Sequence, residues 1–329
     1  MARYDYDLGI IGGGAARLTV ASGAAQLGAK TLLVEKEAAL GGDCLHYGCV
    51  PSKTLLKTAH VYHLMKNGPK FGLPAITPPG VDFREVAARI RSVISTIQEH
   101  DSVARFCKLG AEVEFGNPVF TDEHAIHLDG KIISARAWVI ATGSSPEIPA
   151  IEGRAATPYL TNRDLFSFDT LPSSMIILGA GPIAVEMALA FCRLGTKVTV
   201  IQRSNQILSK EDRDMAGIVQ QALAEEGVTF LLNTAVVRVG DLGSEREVVV
   251  KNAAGETVTL RGEAILVALG RSANAGDLGL AEIGVPFDRK GLIVDSRLRT
   301  SHRPISMEPA TSSAAINSPM SPGMKAMWY

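Results

Sequence analysis

Apolar residues in this chain come in short runs closed by glycine, and the runs repeat with the same spacing. "YDLGII" (6–11) ends in Gly12-Gly13-Gly14, a small-residue helical stretch "AARLTVASGAAQLG" follows, and "KTLLVEK" gives a second apolar strand ending at Glu35. The pattern predicts strand, turn, helix, strand. "SSMIILGAGPIAVEMALAFCRLGTKVTVIQRS" (173–204) repeats it, with Met175–Leu178 and Lys197–Ile201 as the strands. Two later runs, "WVIATGSSPEIP" (138–149) and "AILVALGRSANAGDLGL" (264–280), are strands that end in glycine turns and resemble one another. They mark Thr142, Gly143 and Gly270 as the matching exits of two units. Residues 82–108 have helical apolar spacing with a charged face and are expected to form a packed helix; residues 204–227 are expected to form a surface helix. His124 and His127 lie in a hairpin with the turn "LDGK" and are read as exposed bystanders. The expected class is α/β with two dinucleotide folds.

The glycines give those folds their chemistry. Gly12 and Gly14 hold the first two positions of the dinucleotide fingerprint, and Glu35 stands where an acid hydrogen-bonds ribose hydroxyls. The third position is Arg17, where glycine or alanine lets the helix approach its strand. Arg17 is therefore expected to push the helix away or to bend out to solvent. In the second unit Gly179, Gly181 and Ala184 complete the spacing. Gln202 and Arg203 replace the acid there, a pair that tolerates a 2′-phosphate and favours NADP(H) over NAD(H).

Between the units lies "GGDCLHYGCVPSKTLLK" (41–57), which holds the only close pair among four cysteines, Cys44 and Cys49. Zinc wants two short-spaced ligand pairs, and Cys107 and Cys192 stand alone. Three readings stay open, zinc, packed thiols and a redox pair, and the redox pair leads. In a regular helix residues five apart rise about 7.5 Å and turn about 140°, beyond disulfide reach, so a bond would need a distorted backbone. Gly41, Gly42 and Gly48 permit one, and Pro51 suits the first turn of the helix that follows. A helix N-terminus at Cys49 would favour its thiolate.

Composition removes whole classes. The 329 residues are 46% hydrophobic, which is enough for two cores, and 33 basic against 34 acidic residues give no reason to expect a nucleic-acid or membrane partner. Apolar strand residues follow the start at once, no apolar run reaches the roughly 18 residues of a membrane span, and the expected location is cytoplasmic.

Taken together these motifs resemble the FAD-dependent pyridine nucleotide–disulfide oxidoreductases, the family of dihydrolipoamide dehydrogenase, glutathione reductase and mercuric reductase. The resemblance runs from Tyr6 to about Ser301 and is most specific in "GGDCLHYGCVPSK". It implies an FAD domain with the cysteine pair at 1–150, where Gly42 joins the cofactor-binding residues. An NAD(P)H domain at 151–271 and a partial return to the first domain at 272–303 follow. It implies hydride transfer from NADPH to FAD, then reduction of a Cys44–Cys49 disulfide, then of a small-molecule or protein disulfide or a metal ion. Cys44 matches the interchange thiol, Cys49 the thiol against the flavin, and Lys53 a lysine near the flavin whose glutamate partner falls on Glu186. His46 and Tyr47 depart from the family's usual residues between the cysteines. After "RLRTS" the family continues with an Ala-x-Gly-Asp strand and a dimerisation domain carrying a catalytic histidine. Residues 304–329 match neither, so the tail reads as a truncation or a shifted frame, and a catalytically defective nucleotide-binding remnant is the alternative to an active reductase.

Overall fold

The computed structural model describes residues 4–300 together with the short strand at 306–307. In chain order its elements begin with β1 (Tyr6–Ile11), α1 (Ala15–Gln26), β2 (Thr31–Glu35), α2 (Gly42–His46), α3 (Cys49–Lys66), α4 (Phe83–Gln98) and α5 (Val103–Lys108). Then come β3 (Ala111–Phe115), β4 (Val119–Phe120), β5 (Ala125–Leu128), β6 (Lys131–Ile140) and β7 (Ser144–Pro146). The rest of the framework is β8 (Ser174–Leu178), α6 (Pro182–Leu194), β9 (Lys197–Ile201), α7 (Arg213–Glu225) and β10 (Thr229–Leu231), followed by β11 (Ala235–Asp241), β12 (Arg246–Lys251), β13 (Thr257–Gly262) and β14 (Ala264–Val267).

Two compact units share this chain. One comprises residues 1–46, 95–145 and 271–329; the other comprises 47–94 and 146–270. In the first, the sheet order is β3-β2-β1-β6-β5-β4, with β3, β2, β1 and the second half of β6 parallel and β6, β5 and β4 antiparallel. In the second, β10-β9-β8-β14 is parallel throughout, beside an antiparallel sheet β11-β12-β13. Each parallel sheet thus has its first strand between its second and its last. The crevice at such a reversal of strand order, outside the carboxyl ends of the strands, is where doubly wound folds bind nucleotides.

The fully buried strands follow from sequence. Ile10, Leu32, Leu33 and Val34 in the first unit and Ile177, Val198 and Val200 in the second are inaccessible to solvent, as expected where both faces of a parallel sheet are covered. The second unit's largest cluster joins those strands to α6 and to α3 through Leu55 and Ala59.

Several expectations are corrected. Residues 82–108 form two helices, because Ser102 caps a new one by accepting a hydrogen bond from the Arg105 amide. The expected helix at 204–227 is confined to α7, which Asp212 caps by accepting from the Asp214 and Met215 amides. His127 is exposed, but His124 is only half-exposed, and its carbonyl accepts from the Trp138 indole at 2.9 Å. Of the tail, Ser306–Met307 pairs in parallel with β6 at Trp138 and Val139; what is expected of residues 308–329 lies outside the described residues.

Candidate functional site

The first glycine turn leaves β1 at Gly12, whose φ of +106° lies in the region glycine favours, and α1 starts with Gly14 as its cap. The Gly13 amide donates to the Glu35 carboxylate, and the Glu37 amide donates to its other oxygen at 2.8 Å. Glu35 is thus buried at 4% exposure against its own backbone. The turn also anchors the cysteine stretch. The Gly41 amide donates to the Gly13 carbonyl at 2.7 Å, and a Cβ on Gly42 would lie 2.7 Å from the Gly14 Cα, so α2 can begin there only with glycine.

Cys44 lies within α2 and Cys49 opens α3, both partly buried. The helical backbone is interrupted between them at Gly48, with φ −128° and ψ −109°, so the two cysteines do not lie on one regular helix. The chain also passes from the first unit to the second at His46–Tyr47. One turn into α3, the Lys53 ammonium donates to the Glu186 carboxylate on α6, with both side chains a little over one third exposed.

At the end of β6, Thr142 and Gly143 are held by a residue that motif reading passed over. The Asn274 amide group donates to the Thr142 carbonyl at 3.0 Å, the Asn274 backbone amide donates to the Gly143 carbonyl at 2.9 Å, and Ser145 donates to the Asn274 side-chain oxygen at 2.8 Å. Arg271 was missed in the same way: it reaches the Asp43 carboxylate at 3.1 Å and donates to Ser144 Oγ at 2.8 Å. The only sequence signal for both is their place just after the second glycine exit, in "GRSAN".

In the second unit Gly179 has φ +99°, and a Cβ there would lie 2.5 Å from the Ala268 carbonyl oxygen, so β8 and β14 meet closely at the crevice. Gly181 caps α6 with open space before it. Gln202 donates to Ser204 Oγ at 2.7 Å, and Arg203 is exposed. Gly270 has φ +145° and its carbonyl accepts from the Glu147 amide at 2.9 Å. Among the described residues no cluster of three or more His, Cys, Asp or Glu is placed to hold a metal ion, and no helix is long and apolar enough to cross a membrane.

Residues 6–307 match the family described as pyridine nucleotide-disulphide oxidoreductase. The chain belongs to that family. It is 32% identical over 300 residues to a mercuric reductase of Bacillus cereus, an alignment covering 91% of this chain and 47% of the relative. It is also 32% identical over 303 residues to a dihydrolipoyl dehydrogenase of Acholeplasma laidlawii, covering 90% and 87%. The chain spans about half the length of the mercuric reductases it matches. Among solved structures, the HOCl-induced flavoprotein disulfide reductase RclA from Escherichia coli is 27% identical with a TM-score of 0.81, covering 94% of this chain and 66% of that one.

FAD is the cofactor of this oxidoreductase family, and the first cradle has the backbone for a dinucleotide: glycines that let a pyrophosphate approach, the N-terminus of α1, and Glu35 at the end of β2. One side chain departs from the fit. Arg17 neither displaces α1, whose hydrogen bonds start regularly from the Gly14 carbonyl, nor reaches solvent. It folds back over the glycine turn at 9% exposure, 3.9 Å from Glu35, with its Nε buried and lacking a hydrogen-bond partner. Burial pulls its pKa down to about 10, against the opposing pull of Glu35 and Asp43. The expected outcomes assumed that Arg17 must choose between helix and solvent; the turn instead left room on its open side.

Proposed function

We propose that this chain is the nucleotide-handling part of an NAD(P)H-dependent reductase of disulfides or metal ions, with Cys44 and Cys49 as its redox pair. The observation that carries the reading is the α2–α3 stretch. It is anchored at its start to the first glycine turn through Gly42, broken at Gly48 between the two cysteines, and ion-paired through Lys53 to the helix that leaves the second glycine turn. Residues 1–150 supply the flavin side and 151–271 the nicotinamide side in this reading, with the first fold resumed at 272–303. Gly12, Gly14, Gly42, Glu35, Thr142 and Gly143 line the first cradle; Gly179, Gly181, Gln202, Arg203 and Gly270 line the second.

The flavin, when bound, supplies a two-electron relay between nicotinamide and sulfur. The chain's own part is thiol chemistry. A hydride and a proton reduce the Cys44–Cys49 disulfide to two thiols. The Cys44 thiolate then attacks one sulfur of a substrate disulfide, whose other sulfur leaves and takes a proton, and Cys49 breaks the mixed disulfide and restores the internal bond. The sum is NADPH, a proton and a disulfide giving NADP+ and two thiols. Mercuric ion, as the names of the mercuric reductases indicate, would take the same two electrons. Lys53, one turn after Cys49 in α3, is held by its ion pair with Glu186.

Two-electron reduction of the flavin-reconstituted chain should give a long-wavelength thiolate-to-flavin absorption band. Cys49→Ser should abolish it, and Cys44→Ser should show it without reductant. A band that survives Cys49→Ser sinks the assignment.

The exposed Arg203 and the lack of an acid at Gln202 favour NADPH over NADH. One charge-assisted contact to the 2′-phosphate is worth roughly 1.5–3 kcal/mol, so NADPH should bind about tenfold or more tightly. Equilibrium titration of both nucleotides checks this, and equal affinities would remove Arg203 from the site.

A further inference from the structure

The cradle that the family uses for its flavin nucleotide already has an occupant from this chain. An added Cβ on Gly12 would lie 2.5 Å from Arg17 Nη1, one on Gly14 would lie 3.2 Å from the same atom, and one on Gly143 would lie 2.9 Å from Arg17 Nη2. Gly12 follows β1 and Gly143 follows β6, the two strands whose parting makes the crevice at the reversal of sheet order. The second fingerprint glycine exists so that backbone and pyrophosphate can approach one another. Here a guanidinium makes that approach. The second unit is the internal comparison: nothing lies within 4 Å of a Cβ built on Gly181, the equivalent of Gly14, and Ala184 stands where the first unit has Arg17.

We propose that Arg17 is a built-in occupant of the first dinucleotide cradle, held there by Glu35, so that a flavin nucleotide enters only when the guanidinium swings out, while the second cradle stays open to a nicotinamide nucleotide. The identity of the excluded ligand rests on the function proposed above; the occlusion itself does not. Two features make the occupant removable. Its ion pair with Glu35 is long at 3.9 Å, and its Nε gains nothing from the burial that costs it hydration. A cation at a helix N-terminus also stands against the dipole. The guanidinium would pair well with phosphate once outside, but inside it fills the volume that the phosphate needs.

The test is equilibrium titration of the full chain with FAD alone, followed by flavin fluorescence, for the wild type, Arg17→Gly and Arg17→Ala. NADPH titration and thermal unfolding of each protein serve as controls. Both variants remove the occupant, and alanine keeps a normal helical backbone if glycine weakens α1. FAD binding at least tenfold tighter in either variant, with NADPH affinity unchanged, is the expected result. Equal or weaker FAD binding in both variants, with NADPH affinity and melting temperature retained, would overturn the occlusion and leave Arg17 a ligand of the pyrophosphate or a bystander. Tight FAD binding in Arg17→Gly without any thiolate–flavin band on reduction would sink the proposed redox role of the cysteines and leave the occlusion standing.

Discussion

Replacing Trp138 by alanine should destabilise the first unit by about 3–5 kcal/mol, the range for truncating a large buried aromatic. Trp138 is 1% exposed in β6 and meets Phe120 edge-on, with ring centroids 5.6 Å apart and planes at 84°. Its indole donates to the His124 carbonyl, which would lose that partner. Its ring also fills the space beside Gly9, where an added Cβ would lie only 2.2 Å away, so no side chain from β1 can close the gap. The loss is a large part of an ordinary domain's stability and should lower the melting temperature by about 10 °C. It should also loosen Thr142 and Gly143, because they continue the strand that Trp138 holds. Trp138→Phe keeps most of the packing and should cost much less. A chemical-denaturation change under about 1 kcal/mol for Trp138→Ala would show that the site collapses and that the ring is not central to the core.

Glu226 should prove the most costly single charge to remove from the second unit. It follows α7, accepts from Arg193 Nε and Nη2 of α6 at 2.6 and 2.7 Å, and lies 3.2 Å from His63 Nδ1 of α3. Arg193 and Glu226 are 16% and 22% exposed, so Glu226→Ala leaves a mostly buried guanidinium without its partner. The expected cost is about 2–3 kcal/mol. The cluster also sets a pH dependence. Burial holds the His63 pKa below 6.5, outweighing the opposing pull of Glu226, so the folded ring takes up its proton at lower pH than the unfolded one. Below pH 6.5 the unfolded chain takes that proton first, and stability falls as pH falls until the folded ring also titrates. The Glu226 pKa is lowered chiefly by its hydrogen bonds from Arg193, so a second loss follows below pH 4.5, where the unfolded carboxyl protonates before the folded one. Glu226→Ala should abolish the loss below pH 4.5 that this residue causes and steepen the one below 6.5, since His63 then lacks the carboxylate that favours its charge. Denaturation midpoints measured from pH 8 to pH 4 decide it: parallel curves for the two proteins would remove Glu226 from the account.

How much of this was legible in the sequence depends on the distance over which each feature is decided. The two strand–glycine–helix–strand units could be read directly, because period, glycine spacing and the acid at Glu35 are properties of some thirty neighbouring residues. The break between Cys44 and Cys49 could be read too, since a regular helix cannot place residues five apart within bonding distance and the glycines that permit a break are adjacent. The end of the first helix after Gln98 had a signal, Ser102 as a cap, that helical periodicity on both sides obscured. Motif spacing showed that Arg17 departs from the fingerprint but not where its side chain goes. That was decided by an opening bounded by Gly12, Gly14 and Gly143, residues up to 126 positions away, and by a carboxylate already committed to the Gly13 amide. Asn274 on the Thr142 turn, Arg271 on Asp43, and the Glu226 cluster drawing on three helices are of the same kind. A polar side chain's partner depends on the register of strands and the packing of helices far apart in sequence, and only the folded chain sets those distances.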